Sequence, residues 1–224
     1  MMGFCMSELL KNYRNLSQEI EQAAVSQMPT LVAVSKTQSS ESIRVLSEAG
    51  HRDFGENYLQ EAMDKIAKLK EQNLIWHYIG SIQRNKTRDI AAHFDWVHTI
   101  ERSIIAERLS KQRDEDIPPL NVCIQVNIDD QDSKGGVDQS ELERLIDEVL
   151  ELPNLTLRGL MCITDPQATG SFERMQALFK EQQARVDRPD FDTLSMGMSA
   201  DWGEALKFGA TMIRVGSRLF GARD

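Results

Sequence analysis

The alternation of short apolar segments with longer amphipathic ones is the feature of this sequence that most constrains its fold. Segments typical of buried strands recur about eight times along the chain. They lie at residues 31–34, 53–54, 76–79, 96–99, 121–126, 156–160, 193–195 and 212–215. Because each is followed by a segment with helical spacing of its apolar residues, the pattern predicts a βα unit repeated from one end of the chain to the other.

The intervening segments carry apolar residues at spacings of three and four, the period of a helix with one buried face. Helices are predicted at 7–27, ending before Pro29, at 39–50, closing at Gly50, and at 200–208. Further helical spacing is seen in three sets, Leu59, Met63 and Ile66, then Leu142, Leu145, Ile146 and Val149, then Phe172, Met175 and Phe179. In a chain of 224 residues with no linker, this predicts one domain over 1–224, a closed (β/α)₈ barrel of the TIM type rather than an open sheet.

Composition excludes several classes of function. The net charge of −9 offers no general field for a polyanion, so no nucleic-acid partner is expected. No apolar run approaches the roughly 20 residues that span a bilayer, and the first residues lack the basic and apolar regions of a signal peptide. No membrane partner is therefore expected, and the expected compartment is the cytoplasm. Cys5, Cys123 and Cys162 show no metal-ligand spacing, so no metal is expected, and the last two are predicted to be buried apolar residues.

Barrel topology selects candidate site residues. Active sites of (β/α)₈ barrels lie at the carboxyl ends of the strands, often with a phosphate held after strands seven and eight. The residues at or just past the predicted strand ends are Lys36, Asn57, Ser81, Met198, Ser199, Arg214, Gly216 and Ser217. Ser199 precedes a predicted helix, where its hydroxyl is expected to cap the helix and free backbone N–H groups to meet an anion. Gly216 allows close approach of the backbone. Taken together after strands seven and eight, these turns predict a phosphate site.

Lys36 and the segment 129–136 each allow two interpretations. Lys36 directly follows an apolar run, so its amine is either solvated and ion-paired or desolvated into a nucleophile. A nucleophilic lysine near a phosphate site favours an aldehyde-bearing phosphorylated ligand, either pyridoxal 5′-phosphate (PLP) or the substrate of a Schiff-base aldolase. The polar segment 129–136, which includes Lys134 and ends in two glycines, is either a mobile functional segment or an ordinary solvated loop.

Seven ordered motifs resemble one known family. They are Ala-Val-Ser-Lys at 33–36, Phe-Gly-Glu-Asn-Tyr-Leu-Gln-Glu at 54–61, Trp-His-Tyr-Ile-Gly at 76–80, Gln-Arg-Asn-Lys at 83–86, Leu-Arg-Gly-Leu-Met at 157–161, Ser-Met-Gly-Met-Ser at 195–199 and Ile-Arg-Val-Gly at 213–216. In order and content they are similar to the YggS/PROSC family of pyridoxal phosphate homeostasis proteins. The resemblance covers residues 31–223, nearly the whole chain.

The resemblance implies a fold and a set of site residues. The fold would be the barrel of the alanine racemase N-terminal domain, standing alone. Lys36 would hold PLP as a Schiff base, with Asn57 near the ring and Arg214 beside the pyridine nitrogen. The phosphate would be bound by Ser199, Gly216 and Ser217. Met198 is carried over as a further cofactor contact, whereas His77 is expected to be a packed strand residue.

The sequence departs from the family pattern near the phosphate. Ser217 stands where the family commonly has threonine, which keeps the hydroxyl, and Ser81 stands at a frequent proline. Gly209-Ala210 replaces a common Gly-Ser, and Arg218-Leu219 replaces smaller residues after the phosphate turn. These differences leave the contacts at the rim of the phosphate site open, but not the expected role of Lys36.

The function implied by the resemblance is PLP (vitamin B6) homeostasis, in which the protein buffers PLP or delivers it to PLP-dependent apoenzymes without robust catalysis. A low-activity amino-acid racemase is the alternative, and a cofactor-free aldolase using Lys36 is a third. Little racemase turnover is expected, because the chain ends after the eighth unit, where a second domain would supply the opposite base.

Overall fold

The predicted strands pair side by side in chain order and close into a barrel. In the computed structural model, residues 2–25, 27–131 and 135–221 are described, and the side chains of 2–5 are left aside. The strands are β1 Thr30–Val34, β2 Asp53–Glu56, β3 Ile75–Tyr78, β4 Trp96–Ile100, β5 Leu120–Val126, β6 Leu155–Cys162, β7 Thr193–Ser195 and β8 Met212–Val215. Every pairing is parallel, and β8 pairs with β1 from Thr30 opposite Met212 to Ala33 opposite Val215. The prediction of a (β/α)₈ barrel is confirmed.

Helices follow the strands around the outside of the barrel. They are α1 Met2–Ala23, α2 Ser40–Glu48, α3 Leu59–Leu69, α4 Thr87–His93, α5 Ser103–Gln112, α6 Gln139–Leu150, α7 Ser171–Val186, α8 Trp202–Lys207 and α9 Ser217–Phe220. The predicted helix at 39–50 is α2, whose first turn is capped by the Ser39 hydroxyl through the amide of Ser42. The prediction for 7–27 is wrong at both ends, since α1 begins at Met2 and stops at Ala23, well before Pro29.

The core has two compartments separated by the strands. Outside the sheet, apolar side chains of the strands pack against apolar side chains of the helices. Ile43 and Leu46 of α2 are examples, and both are fully buried. Inside the barrel the packing is partly polar, because Arg214, His77 and His98 are also buried there. This polar interior is the part of the fold that bears on function.

The two described cysteines behave as the sequence predicted. Cys123 in β5 and Cys162 in β6 are buried free thiols, and burial raises the pKa of each to about 12. Both are therefore protonated at neutral pH and act as small apolar residues. Cys5 is among the residues whose side chains lie outside the description.

Two further expectations concern the chain as a whole. Within the described ranges, no helix combines the length and apolar character needed to cross a bilayer. The proposal that one domain spans all of 1–224 stays a prediction.

Candidate functional site at the carboxyl end of the barrel

The predicted site residues meet at one end of the barrel because parallel strands all end there. Lys36 follows β1, Asn57 follows β2 and Ser81 follows β3. Ser199 lies four residues beyond the end of β7, and Gly216 directly follows β8. Lys36, Asn57, Ser199 and Gly216 are half-buried, whereas Ser81 and Ser217 are exposed.

The turn that carries Lys36 is unusual in its backbone. A hydrogen bond from the amide of Gln38 to the carbonyl of Ser35 closes it at 2.9 Å. Thr37 has φ of +66°, a left-handed conformation that a β-branched residue rarely adopts. Such strain persists only where the surroundings enforce it. The half-buried Lys36 is thus held in a turn whose shape is set by contacts outside the turn itself.

A buried group of charges lies beneath this turn. Lys65 of α3 is 4% exposed, and its Nζ donates to the Ser35 carbonyl at 2.7 Å and to Glu56 Oε1 at 2.8 Å. The Ser35 hydroxyl donates to the same Glu56 oxygen at 2.6 Å. Burial raises the pKa of the Glu56 carboxyl, although Lys65 and Ser35 oppose the shift. Glu56 Oε2 is buried with no hydrogen-bond partner among the described residues.

Glu61 of α3 completes this group from the opposite side of the turn. Its Oε1 accepts from Lys65 Nζ at 2.5 Å and from the amide of Thr37 at 2.6 Å. Glu61 and Lys65 are four residues apart, so they lie on one face of the helix. The ion pair that they form therefore contacts the peptide groups on both sides of Lys36.

Asn57 is placed by close packing of its backbone on Gly80. A Cβ at Gly80 would lie 2.3 Å from the Asn57 carbonyl oxygen, so only glycine fits beyond β3 at this point. The side-chain Oδ1 of Asn57 is buried and has no hydrogen-bond partner in the part of the chain that is described. A buried oxygen in that state fits a position that meets a ligand.

Ser199 connects the two predicted phosphate turns directly. The amide of Gly216 donates to the Ser199 hydroxyl oxygen at 3.1 Å, which joins the loop after β7 to the end of β8. The expectation that Ser199 caps the next helix is wrong, since α8 begins at Trp202 with Asp201 in the N-cap position. The reason is a tight turn in which Asp201 Oδ1 accepts from the amide of Met198 at 2.6 Å, which moves the helix start two residues along.

The opening of α9 provides further donors beside Gly216. The amides of Leu219 and Phe220 donate to the carbonyl of Gly216. The amides of Ser217 and Arg218 precede them in the first turn, where helical amides have no intrahelical acceptor. With the exposed Ser217 hydroxyl, this end of β8 presents several donors to solvent at the barrel mouth.

Arg214 is a buried cation without an acidic partner in the described part of the chain. It is 4% exposed, donates through its two terminal nitrogens to Ser195 Oγ at 2.6 Å and the Cys162 carbonyl at 2.9 Å, and forms no ion pair with any residue described. Burial lowers the pKa of its guanidinium, yet an arginine with so high an intrinsic pKa stays charged. Two of its five donors are used in these bonds, so it retains capacity to bind an acceptor from a ligand.

A chain of hydrogen bonds runs from Arg214 through the barrel interior. Ser195 Oγ lies 3.0 Å from His98 Nδ1, and His98 Nε2 lies 3.0 Å from His77 Nδ1. His77 Nε2 lies 3.0 Å from Asp53 Oδ1 at the start of β2. Burial, with like charge from His77 and Arg214, lowers the pKa of His98 well below its usual value.

The direction of this chain follows from its ends. Because Arg214 only donates and Asp53 as a carboxylate only accepts, Ser195 donates to His98, His98 to His77, and His77 to Asp53. In this arrangement each donor of the chain meets an acceptor. His77 also stacks on Trp96 at 5.6 Å between ring centroids, which confirms the expectation that it is a packed strand residue.

The sequence reasoning missed the buried and half-buried polar residues that support the site. They are Ser35, Asp53, Glu56, Glu61, Lys65, His98 and Ser195. Two signals were present in the sequence. His98 and Ser195 are polar residues within predicted strands, and Glu61 stands four residues before Lys65 in a helix. Neither signal shows which of these residues meet in space.

The segment 129–136 is only partly described, and residues 132–134, including Lys134, lie outside the described residues. Its first residue is firmly held, since Asp129 accepts from the Ser171 hydroxyl and from Arg174, both at 2.6 Å. At its other end, Gly136 has φ of +132° and donates its amide to Glu101 Oε2 at 3.2 Å. The described ends are therefore anchored to the neighbouring loops. In the described residues no group of His, Cys, Asp and Glu is arranged to hold a metal ion.

Comparison with known sequences identifies close relatives along the whole chain. The sequence profile of the family described as "Alanine racemase, N-terminal domain" matches residues 6–224. The pyridoxal phosphate homeostasis protein of Pseudomonas aeruginosa is 47% identical over 229 residues, covering 98% of this chain and 97% of the relative. That of Escherichia coli K12 is 45% identical over 232 residues, covering 98% of each.

Solved structures agree with the sequence comparison. PipY of Synechococcus elongatus, with PLP bound, superposes with a TM-score of 0.82 at 34% identity, covering 96% of this chain and 100% of PipY. Alanine racemase of Corynebacterium glutamicum superposes with a TM-score of 0.74 at 17% identity, covering 97% of this chain and 62% of the racemase. The second likeness shows the fold alone.

Proposed function

Because the chain belongs to the family of pyridoxal phosphate homeostasis proteins, we propose that it binds PLP at the barrel mouth and takes part in PLP homeostasis. The observation that carries the proposal is the PLP-bound structure of PipY, a protein 34% identical to this chain over 96% of its length. PLP, the cofactor expected from the sequence, is thus bound by a relative that has the same barrel fold.

The polar groups of the mouth fit the two ends of PLP. PLP supplies an aldehyde that condenses reversibly with an amine, on a pyridine ring that withdraws electrons. We assign Lys36 as the amine that forms the Schiff base. Arg214 is assigned to the ring nitrogen, since it is a buried cation that uses only two of its five donors in bonds to described residues. Asn57 is assigned to a place beside the ring, since its buried Oδ1 has no hydrogen-bond partner among those residues.

The phosphate is assigned to the joined turns after β7 and β8. The hydroxyls of Ser199 and Ser217 and the amides at the opening of α9 provide donors, and Gly216 lets the backbone approach. Met198 contributes through its turn, which the Asp201 carboxylate holds by the Met198 amide. These are uncharged donors, which suits a phosphate that is bound and later released.

The geometry supports retention of PLP better than catalysis on it. A guanidinium at the ring nitrogen stays charged and disfavours protonation of the pyridine, which weakens the ring as an electron sink. His77 and His98 are committed to the chain that ends at Asp53, so neither is poised as a second acid or base at the mouth. We therefore propose a carrier without robust turnover, which delivers PLP to PLP-dependent apoenzymes.

We also propose that the protein acts in the cytoplasm and that its partners are PLP-dependent apoenzymes. The family name concerns PLP pools, which supports delivery, and the buried free thiols of Cys123 and Cys162 agree with the reducing cytoplasm. Delivery is tested by mixing the PLP-loaded protein with an apoenzyme in the presence of an aldehyde trap. Faster activation than by an equal amount of free PLP would support transfer, and equal activation would contradict it.

Titration of purified protein with PLP tests the assignment of Lys36. A Schiff base absorbs visible light, whereas an aldolase lysine at rest does not, so wild-type protein should gain a visible band that saturates with PLP. Lys36→Ala should lose the band. Lys86→Ala, beyond β3 at the same end of the barrel, should keep it. Retention of an unchanged band by Lys36→Ala would overturn the assignment.

A further inference from the structure

Lys65 is a buried amine close to the half-buried Lys36, and its contacts exclude it as the amine that captures an aldehyde. Its ammonium donates to the Ser35 carbonyl, to Glu56 Oε1 and to Glu61 Oε1. A lysine ammonium has three donors and no acceptor, so these bonds occupy all of them. A nitrogen held in this way has no lone pair available for attack. The function of Lys65 must therefore be exerted through the groups that it holds.

Through the Ser35 carbonyl and through Glu61, Lys65 acts on the two peptide groups that flank Lys36. Lys65 binds the carbonyl of Ser35, which belongs to the peptide before Lys36, and Glu61 binds the amide of Thr37, which belongs to the peptide after it. Thr37 is also the residue with the strained φ of +66°. The Lys65–Glu61 ion pair thus spans the turn and supplies an external restraint on its conformation.

We propose that Lys65, with Glu61, is a positioning residue for PLP capture, which orients Lys36 by fixing its flanking peptides and does not itself contact PLP. The proposal rests on the proposed function, since it concerns the reaction of Lys36 with PLP. A reacting group displaced by about 1 Å can lose on the order of 100-fold in rate. Loosening this turn should therefore slow capture and weaken covalent binding while leaving the ring and phosphate contacts in place.

This role separates two ligands that differ in one group. Pyridoxine 5′-phosphate has the ring and phosphate of PLP but an alcohol in place of the aldehyde, so it cannot react with Lys36. A residue that acts only through Lys36 should affect the binding of PLP and leave that of pyridoxine 5′-phosphate unchanged. General damage to the barrel mouth would affect both ligands alike.

The experiment compares Lys65→Met and Glu61→Gln with wild type in the full chain. Lys65→Met removes the ammonium at similar length, and Glu61→Gln keeps an acceptor for the Thr37 amide but removes the charge. Lys68→Met is the matched control, since Lys68 is an exposed lysine in the same helix. Rates of band formation and affinities are measured with PLP, affinities with pyridoxine 5′-phosphate, and melting temperatures record whether each variant is folded.

Lys65→Met should capture PLP about 10- to 100-fold more slowly and bind it correspondingly more weakly, with pyridoxine 5′-phosphate affinity within about twofold of wild type. Glu61→Gln should show the same pattern with a smaller loss. If Lys65→Met does not fold, the Glu61→Gln result alone tests the inference. Lys68→Met should match wild type. Unchanged PLP capture in the folded variants, or an equal loss of affinity for both ligands, would overturn the positioning role of Lys65 but not the proposed function. Absence of any band in wild type would overturn the proposed function, and the inference with it.

Discussion

At the scale of single residues, the polar groups at the mouth are fixed by partners from other elements. Arg214 of β8 is held by Ser195 of β7, and the Ser199 hydroxyl after β7 is held by the amide of Gly216. Such cross-element bonds are what preorganises a binding site, because they are in place before the ligand arrives.

Removing one hydroxyl at the phosphate turns should weaken PLP retention without shifting the visible band. A hydrogen bond to a charged group contributes about 1.5–3 kcal/mol, so Ser199→Ala and Ser217→Ala should each lower affinity roughly 10- to 100-fold. Backbone amides would remain as donors. Titration with PLP measures the effect, with Ser140→Ala, an exposed serine in α6, as the control. Wild-type affinity in the Ser199→Ala, Ser217→Ala double variant would contradict the assigned phosphate site.

His98 predicts a dependence of stability on pH. Its pKa is lowered in the folded protein, so below about pH 6.5 the unfolded chain binds a proton that the folded chain does not, and stability falls as pH falls. The loss is about 1.4 kcal/mol per pH unit until the folded pKa is reached. The buried Glu56, with its raised pKa, acts in the opposite sense, and His51 acts in the same sense as His98.

The contribution of His98 is isolated by comparing wild type with His98→Gln in urea unfolding between pH 7 and pH 5. His51 and Glu56 are present in both proteins, so their effects cancel in the comparison. The variant should lose about 1–2 kcal/mol less stability than wild type over this range. Identical pH slopes for the two proteins would show that His98 does not titrate as its burial requires.

At the scale of the elements, the strand ends bring the site together by close backbone packing. Beyond β3, the backbone of Gly80 leaves no room for a side chain against the Asn57 carbonyl. Gly197 after β7 has φ of +90°, and a Cβ there would lie 2.7 Å from the Cβ of Ala205. The loops of the mouth are thus placed by contacts that only glycine permits.

Gly80→Ala should therefore destabilise the fold and weaken PLP binding. The added methyl must displace the backbone after β2, and overpacking of this kind costs about 1–3 kcal/mol. Gly203→Ala is the control, because nothing lies within 4 Å of a Cβ built at Gly203 in α8. That control should be neutral or stabilised by up to about 1 kcal/mol. Thermal and urea unfolding measure both, and a neutral Gly80→Ala would contradict the packing argument.

The sequence predicted elements better than it predicted contacts. The strand β1 was visible in the apolar run before Lys36, and even the short β2 was found at the correct place. The cap assigned to Ser199 was wrong because the turn at 198–201 depends on the Asp201 side chain, which sequence spacing does not reveal. Lys65 looked like an ordinary charged residue of an amphipathic helix, since its burial depends on which strands α3 packs against.

At the scale of the whole molecule, a closed barrel carries a polar chain in its interior and the proposed PLP site at one end. Arg214 connects the two, since it contacts Ser195 in the interior and is assigned to the cofactor ring. Burying a cation without a carboxylate is costly. A barrel built for stability alone would place an apolar residue there, so we interpret Arg214 as retained for a ligand.

The PLP-loaded barrel is expected to show little or no racemase turnover. Racemisation needs a strong electron sink and proton transfer on both faces of the substrate, and the assigned Arg214 and the committed histidines supply neither. Loaded protein incubated with L-alanine in heavy water should show no appreciable α-proton exchange or D-alanine. Turnover at a typical enzymatic rate of roughly 1–1,000 per second would restore the racemase alternative.

The covalent attachment of PLP to Lys36 is the central claim, and borohydride reduction of the PLP-loaded protein tests it most directly. Reduction converts the Schiff base into a stable secondary amine, which peptide mass spectrometry locates on one lysine. We expect the phosphopyridoxyl mass on the peptide containing Lys36, and no such mass on the peptide containing Lys65. Recovery of the label on another lysine, or of unlabelled protein after reduction of a saturated sample, would contradict the account.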